Sequence, residues 1–178
     1  ARVDVSDRVA VCFNAPVVRL FTAHEVARDP FLNGLGPDLL APDFDADEAK
    51  ARLRANERNH GSIGEAIVDQ GVMAGVGNIF KSEALFVARI RPRTPLASLD
   101  DAALARIISV AKTLLVANVG ADPERRTTGG SGQSSPLWVY ERDGLPCLLC
   151  GTPIVETTDG SPPRHSFFCP KCQTGALQ

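Results

Sequence analysis

The chain has no long apolar run, no signal peptide and no excess of positive charge. None of its 178 residues belongs to a stretch near the ~18 apolar residues that a membrane-spanning helix needs. An apolar content of 44% with 22% charged residues is typical of a soluble globular protein. The formal net charge of −2 gives no support to a nucleic-acid partner. A basic surface must therefore arise from the way the fold places its arginines.

The sequence also has no initiator methionine and no visible internal repeat. It begins Ala1-Arg2, and the following residues have the composition of strands. The stretch RVAVCFNAPVVRLF, residues 8–21, is rich in Val and is interrupted by Asn-Ala-Pro, which predicts two short strands joined at a turn. Within it, Cys12 is expected to be a small buried hydrophobe. We expect residues 1–22 to continue strand material that is already under way, so that an upstream portion is missing.

Apolar spacing and capping residues in the middle of the chain predict four helices, at residues 46–56, 62–70, 78–88 and 98–120. Ser62 is expected to cap the second helix, with Glu65 completing a capping box, and Ser98 to cap the fourth. Apolar residues at helical spacing predict the buried stripe of the longest helix: Leu104, Ile107, Ile108, Ala111 and Leu115.

Two segments of different composition flank these helices. Residues 23–45 have closely spaced Pro and Gly and are expected to form a connector with a helical turn or two. Residues 121–136 are polar and rich in Gly and Ser, which is typical of a mobile linker. Residues 46–120 and 137–178 are then the two folded parts.

Four of the five cysteines form the strongest chemical signal. The pair Cys147 and Cys150 is separated by eighteen residues from the pair Cys169 and Cys172. Each CxxC can turn two thiolates toward one tetrahedral point, and the intervening length suits a β-hairpin, so the pattern predicts a closed, structural zinc site. A redox pair and two disulfides are the alternatives. Because residues 137–178 are too few to bury a sufficient core unaided, the metal would supply much of their folding energy.

The predicted hairpin carries a basic segment directly before its third cysteine. A hairpin tip held by zinc can present the guanidinium of Arg164 to a groove, and an ordinary exposed arginine is the alternative. His165 could also be a zinc ligand, but four cysteines already complete the tetrahedral shell.

The stretch QGVMAGVGNIFKSEALF, residues 70–86, predicts a helix that stops, crosses three glycines and resumes at Asn78. Helix starts offer free N–H groups to an anion, and glycines let a phosphate approach the backbone. Asn78 is expected to cap its helix and to donate an amide N–H outward, with Lys81 one turn further on. A plain interhelical turn with Asn78 as an ordinary N-cap is the alternative.

Together these motifs resemble the bacterial formamidopyrimidine-DNA glycosylase and endonuclease VIII family of base-excision repair enzymes. Four stretches carry the resemblance, which runs over nearly the whole chain: DPFLNGLGPDLL (29–40), DQGVMAGVGNIFKSEALF (69–86), RDGLPCLLCGTPI (142–154) and RHSFFCPKCQ (164–173). The first and third are closer to the endonuclease VIII branch. The implied fold class is α+β: a mainly helical helix-two-turn-helix domain at 46–120 and a small zinc-bound β-hairpin finger at 137–178, preceded by remnant strands of a β-sandwich domain.

The resemblance also implies roles for individual residues. Asn78 and Arg164 match the asparagine and the finger arginine that hold the phosphates flanking a flipped-out lesion. Lys81 lies at a position that is often basic in the family. Glu83 matches a carboxylate regarded as structurally or functionally important, and Asp38 matches an acidic position implicated in the endonuclease VIII branch. One structural zinc ion per chain would be held by Cys147, Cys150, Cys169 and Cys172.

The implied function is DNA base-excision repair, by the DNA-binding part of a bifunctional glycosylase and AP lyase acting on oxidised bases and abasic sites. The implied partner is damaged double-stranded DNA, with no membrane, bound by a monomer in the bacterial cytoplasm that associates with the nucleoid while it acts. Family members use an N-terminal proline followed by glutamate as the nucleophile and its proton-transfer partner. Because this chain begins Ala1-Arg2, we expect no catalytic residue in it and no activity from it alone.

Two other functions stay open on the sequence. The first is nucleic-acid binding by a zinc-containing protein without a catalytic domain, and the second is a zinc-ribbon protein whose helices contact other proteins. A salt-dependent affinity for abasic duplex would separate the second from the others. A Pro-Glu start in the full-length sequence would favour the enzyme.

Overall fold

A computed structural model describes residues 2–13, 17–120, 126–129 and 135–174. The chain divides into two compact units, Ala1–Gly34 and Leu35–Gln178. No helix in the described ranges is long and apolar enough to span a membrane.

The first unit contains a two-stranded antiparallel sheet and two single-turn helices. Strands β1 (Arg2–Val5) and β2 (Arg8–Val11) pair with Arg2 opposite Val11. Helices α1 (Ala23–Val26) and α2 (Pro30–Asn33) follow, each started by a side-chain cap, from Thr22 and Asp29. These two turns agree with the connector predicted at 23–45.

The prediction of two strands within residues 8–21 is wrong in part. Arg8–Val11 is a strand, but its partner is the preceding segment, because the short Ser6-Asp7 turn lets β1 fold directly back onto it. Residues 17–22 form no strand, and the Asn-Ala-Pro turn lies outside the described residues. Cys12 is exposed, which contradicts the prediction that it is buried.

In the described residues of the second unit there are three longer helices and two short ones. They are α3 (Ala46–Ala55), α4 (Ile63–Ala66), α5 (Asn78–Val87), a 3-10 turn (Leu96–Ser98) and α6 (Asp101–Ala117). Helix α6 packs against α3 and α5. The buried stripe predicted for the longest helix is confirmed at all five positions.

Two predicted helices start or end elsewhere. The capping box of Ser62 and Glu65 is present, but α4 ends after one turn instead of at residue 70, because Asp69 and Gln70 bond to nearby backbone groups and stabilise a turn there. Helix α6 is capped by Asp100, not by Ser98, whose hydroxyl donates to the Pro95 carbonyl inside the 3-10 turn.

The zinc-binding region forms the hairpin predicted between the cysteine pairs. Strands β3 (Val155–Asp159) and β4 (Arg164–Phe168) are antiparallel, and β4 packs against α5. The helices share one apolar core, which includes Leu85 of α5 and Leu104 of α6. Phe86 of α5 is instead buried in a separate apolar cluster with Val139, Ile154 and Phe167 of the zinc-binding region. Helix α5 therefore belongs to both the helical core and the finger, and the α+β fold class is confirmed.

Candidate nucleic-acid interface

Residues 67–77 form a turn that the side chain of Gln70 holds together. Its amide nitrogen donates to the Val76 carbonyl at 2.9 Å, and its amide oxygen accepts from the Gly75 N–H at 3.0 Å. Gly75 has φ +115°, a conformation that L residues rarely adopt. The turn therefore has a defined shape, and it sets where α5 begins.

The loop that carries Asp38 lies directly against this turn. The Gly36 N–H donates to the Gln70 carbonyl at 2.8 Å, and a side chain at Gly36 would collide with the backbone of Val72. Asp38 bridges to Ala74 through its backbone. Its carboxylate is exposed and accepts the Leu40 N–H at 2.9 Å, so it closes its own turn beside the glycine segment.

Asn78 does not cap α5, which corrects the prediction. The N-cap is Gly77, with no side-chain cap, and Asn78 is the first helical residue. The shift follows from the conformation, because a residue with helical φ and ψ can no longer fold its side chain back onto the next N–H groups. Within the described ranges the Asn78 Oδ1 atom is buried without a hydrogen-bond partner. The first N–H groups of α5 thus stay open to an anion.

Lys81 and Arg164 are brought together by the packing of β4 on α5. The Phe167 N–H donates to Ser82 Oγ at 3.2 Å, which holds β4 beside the helix, and the exposed Arg164 is the first residue of the same strand. Lys81 lies three residues after Asn78, on the same face of α5. The pKa of Lys81 is lowered to about 8, mainly by burial, and Asp159 opposes this change whereas the positive charge of Arg164 adds to it. The two cations are therefore close enough to sense each other.

The four cysteines converge on one point. Their Sγ atoms all lie within 4.8 Å of one another, with Cys147 and Cys172 at 3.9 Å and Cys150 and Cys169 at 3.5 Å. A tetrahedral zinc with Zn–S bonds of about 2.3 Å requires sulfurs about 3.8 Å apart. These separations fit zinc and exclude disulfide bonds. The four side chains form a closed structural zinc site, and His165 instead lies beside Glu156.

Three of the four thiols have a pKa shifted from the ordinary value, and not all in the same direction. Hydrogen bonds from the side chain and backbone of Thr152 lower the pKa of Cys150 to about 6, whereas burial raises the pKa of Cys172 to about 12. Burial also raises the pKa of Cys169. A bound zinc ion supplies the positive charge that keeps all four as thiolates.

Arg91 and Gln173 attach the second cysteine pair to the loop after α5. The Arg91 guanidinium donates to the carbonyls of Pro170 and Gln173, both at 2.8 Å. The Gln173 amide donates to the Ile90 carbonyl at 2.7 Å and accepts the Cys169 N–H at 2.8 Å. Sequence reasoning missed both residues, since their partners across the interface are about 80 positions away and no local pattern marks them.

Glu83 joins α5 to the segment that precedes the zinc site. The carboxylate is fully buried and accepts the N–H groups of Trp138, Val139 and Tyr140 at 2.8–2.9 Å. The Thr127 hydroxyl also donates to it. Because the carboxylate is fully buried and both of its oxygens accept two hydrogen bonds, its contacts are those of a structural carboxylate.

The structure describes only part of the linker predicted at residues 121–136. Residues 121–125 and 130–134 lie outside the described residues. Thr127 and Thr128 are buried, and the Thr127 N–H donates to the Pro136 carbonyl at 2.8 Å. These described positions are packed, in contrast to the predicted mobility, because Glu83 and the Trp138 indole both bond to Thr127.

Two family models match the chain. Residues 35–128 match the formamidopyrimidine-DNA glycosylase H2TH domain, and residues 144–175 match the zinc finger found in FPG and IleRS. The two matches cover the helical unit and the cysteine hairpin.

Curated proteins of this kind are similar over most of the chain. A probable endonuclease 8 2 of Streptomyces coelicolor is 42% identical over 172 residues, which are 96% of this chain and 60% of that protein. The DNA-(apurinic or apyrimidinic site) lyase Nei2 of Mycolicibacterium smegmatis is 39% identical over 142 residues, which are 80% of this chain and 54% of that protein. The chain thus spans little more than half the length of these curated relatives.

Solved structures show the same likeness. The MutM (Fpg) protein of Thermus thermophilus superimposes with a TM-score of 0.65 at 31% identity, over 84% of this chain and 57% of that one. Lactococcus lactis Fpg in complex with DNA containing an abasic site gives a TM-score of 0.65 at 26% identity, over 84% and 56%.

We expect protein purified without chelator to contain one equivalent of zinc per chain. Replacing Cys172 with Ser should remove most of the zinc, because three ligands leave the shell open, and should lower the melting temperature. Cys12→Ser is the matched control, since Cys12 is exposed and outside the cluster, and it should keep its zinc. Elemental analysis and circular dichroism measure both effects. Four thiols that react at once with a thiol reagent would contradict the site.

We expect Glu83→Gln to lower the free energy of unfolding by about 2–4 kcal/mol, because an amide presents a donor to N–H groups that are already donors. Glu48→Gln, in a half-exposed pair with Arg52, should cost about 0.5 kcal/mol. Urea denaturation followed by the fluorescence of Trp138, the single tryptophan, measures both. Equal losses in the two variants would rule out the structural role of Glu83.

Proposed function

The chain belongs to the formamidopyrimidine-DNA glycosylase family, and we propose that it is the DNA-binding part of a base-excision repair enzyme. In this proposal the full-length protein is a DNA glycosylase and AP lyase that acts on oxidised bases and abasic sites in duplex DNA. The observation that carries it is the start of α5, where no side chain caps the helix and Asn78 is the first helical residue. Lys81 follows one turn later, and Arg164 is near enough to Lys81 to affect its pKa. The names of the relatives, an endonuclease 8 and an AP lyase, support the same reaction class.

We assign phosphate binding to three groups. The Asn78 amide and the first N–H groups of α5 would bind one phosphate, and the exposed Arg164 would bind a neighbouring one. Lys81 would contribute charge from beneath them, and an approaching phosphate would raise its pKa and favour its protonated form. Such contacts position the duplex without reading its sequence.

The two carboxylates have different roles in the proposal. Glu83 is assigned a structural role, since it is fully buried and its oxygens are occupied by hydrogen bonds. Asp38 is a candidate functional carboxylate, because it is exposed beside the glycine turn.

The chemical step is proposed for the full-length protein and not for these 178 residues alone. Base removal with strand cleavage needs an amine that attacks the sugar C1′ and a partner that moves protons. We further propose that the protein acts as a monomer in the bacterial cytoplasm, associated with the nucleoid while it repairs DNA.

We expect Asn78→Ala and Arg164→Ala each to weaken binding to a duplex with a tetrahydrofuran abasic analogue. For the arginine the loss of charge-assisted hydrogen bonds should cost about 1.5–3 kcal/mol. The loss should be similar whatever the flanking sequence. Arg106→Ala, on the exposed face of α6, is the matched control for the loss of one charge. Fluorescence anisotropy measures affinity, and an unchanged double variant with intact zinc would end this assignment.

We expect borohydride to trap the full-length protein on abasic DNA through an imine, and to trap the 178-residue chain barely at all. Aiming a nucleophile contributes about 7–11 kcal/mol to lowering a barrier, and an unaimed primary amine forgoes it. Gel analysis of the trapped complexes measures both. Equal trapping would show that the catalytic centre lies within these residues. Tight binding by the full-length protein without any trapping would favour a non-catalytic nucleic-acid-binding protein.

A further inference from the structure

Asp159 and Arg164 stand directly opposite each other at the open end of the hairpin. The register of β3 and β4 pairs them, which puts their side chains on one face of the sheet with Cβ atoms about 4.5–5.5 Å apart. Opposite charges at such positions attract. In the described part of the chain, however, the ion pair of Asp159 is with Arg93, and none joins it to Arg164.

Arg93 reaches the hairpin from the loop after α5. Its Nε atom donates to Asp159 Oδ1 at 2.6 Å, and its Nη2 atom donates to the adjacent Thr158 carbonyl at 3.0 Å. The guanidinium therefore holds both the carboxylate and the backbone at the end of β3. The Arg93 side chain is 66% exposed and that of Asp159 is 9% exposed, so the contact lies at the edge of a desolvated carboxylate.

The second carboxylate oxygen of Asp159 is less well satisfied than the first. Among the described residues Oδ2 is buried and has no hydrogen-bond partner. A carboxylate so poorly solvated requires a cation, because an unpaired buried charge is costly. The buried Lys81 also feels the charge of Asp159, but it is present whether or not Arg93 is there. If Arg93 were removed, the exposed guanidinium directly opposite Asp159 in the sheet would be that of Arg164.

We propose that Arg93 is a positioning residue, which occupies Asp159 and thereby keeps Arg164 unpaired and available to a DNA phosphate. Arg93 acts through Asp159 and does not itself need to touch the DNA. The inference rests on the proposed function only for the identity of the ligand. Pairing between Arg164 and Asp159 is a property of the protein alone, and it can be measured without DNA.

The first experiment measures the freedom of Arg164 directly. Phenylglyoxal labels unpaired guanidinium groups, and peptide mass spectrometry reports the rate at Arg164. We expect Arg93→Met to lower that rate about threefold or more, since the carboxylate then pairs with Arg164. The double variant Arg93→Met/Asp159→Asn should restore it, and Asp159→Asn alone should leave it unchanged. Unaltered labelling in Arg93→Met, with full zinc content, would overturn the inference whatever the DNA results.

The second experiment measures affinity for the abasic duplex as a function of salt. Arg93→Met should weaken binding about tenfold and reduce the slope of log affinity against log salt by about 0.9, the contribution of one phosphate contact. Adding Asp159→Asn should restore both quantities. A purely structural role of Arg93 would not be rescued by removing its own partner, and Arg106→Met controls for the loss of a charge.

The outcomes distinguish the effect of Arg93 on Arg164 from the assignment of a phosphate as the ligand of Arg164. A loss in Arg93→Met that Asp159→Asn does not restore would show that Arg93 contacts the phosphate itself or only stabilises the hairpin, and would overturn the inference. An unchanged affinity in Arg164→Ala would instead remove the proposed phosphate role of Arg164. If the labelling results still held in that case, Arg93 would keep its effect on Arg164 and the ligand assignment alone would fail.

Discussion

The structure depends on one buried carboxylate, that of Glu83. Three consecutive backbone N–H groups, from Trp138 to Tyr140, and the Thr127 hydroxyl all bond to it. A fully buried charge is tolerated only when its hydrogen bonds are complete. Because Glu83 projects from α5, this requirement joins the helical core to the chain that leads into the zinc site. The stacking of Phe86 on Trp138 covers the same junction with apolar surface.

The junction places two cations, one buried and one exposed, near each other in a protein of negative net charge. The net charge is −2, yet Lys81 and Arg164 lie near one another although 83 positions separate them in the sequence. The packing of β4 on α5 brings them together, and the zinc fixes the base of the hairpin that carries the arginine. Local potential depends on this placement and not on the total charge.

Much of the fold and of the site could be predicted because the signals are local. The CxxC spacing predicted both the zinc ligands and the hairpin between them, and helical periodicity predicted the buried stripe of α6. The errors in the helix ends fall where side chains compete with backbone for the same hydrogen bonds. Asp100 displaced Ser98 as a cap, and Gly77 took the position expected of Asn78, since the turn held by Gln70 decides where α5 begins.

The metal site, the helices and the family could be predicted from the amino-acid sequence, because each depends on motifs whose residues are close together in the chain. Three sets of contacts appear only when the chain is folded: Glu83 as a buried acceptor, Arg91 and Gln173 at the finger, and the Arg93–Asp159 pair. The partners in these contacts lie more than 50 positions apart. Their pairing is set by the desolvation of charged and polar groups when distant segments pack, and no spacing within the sequence records it.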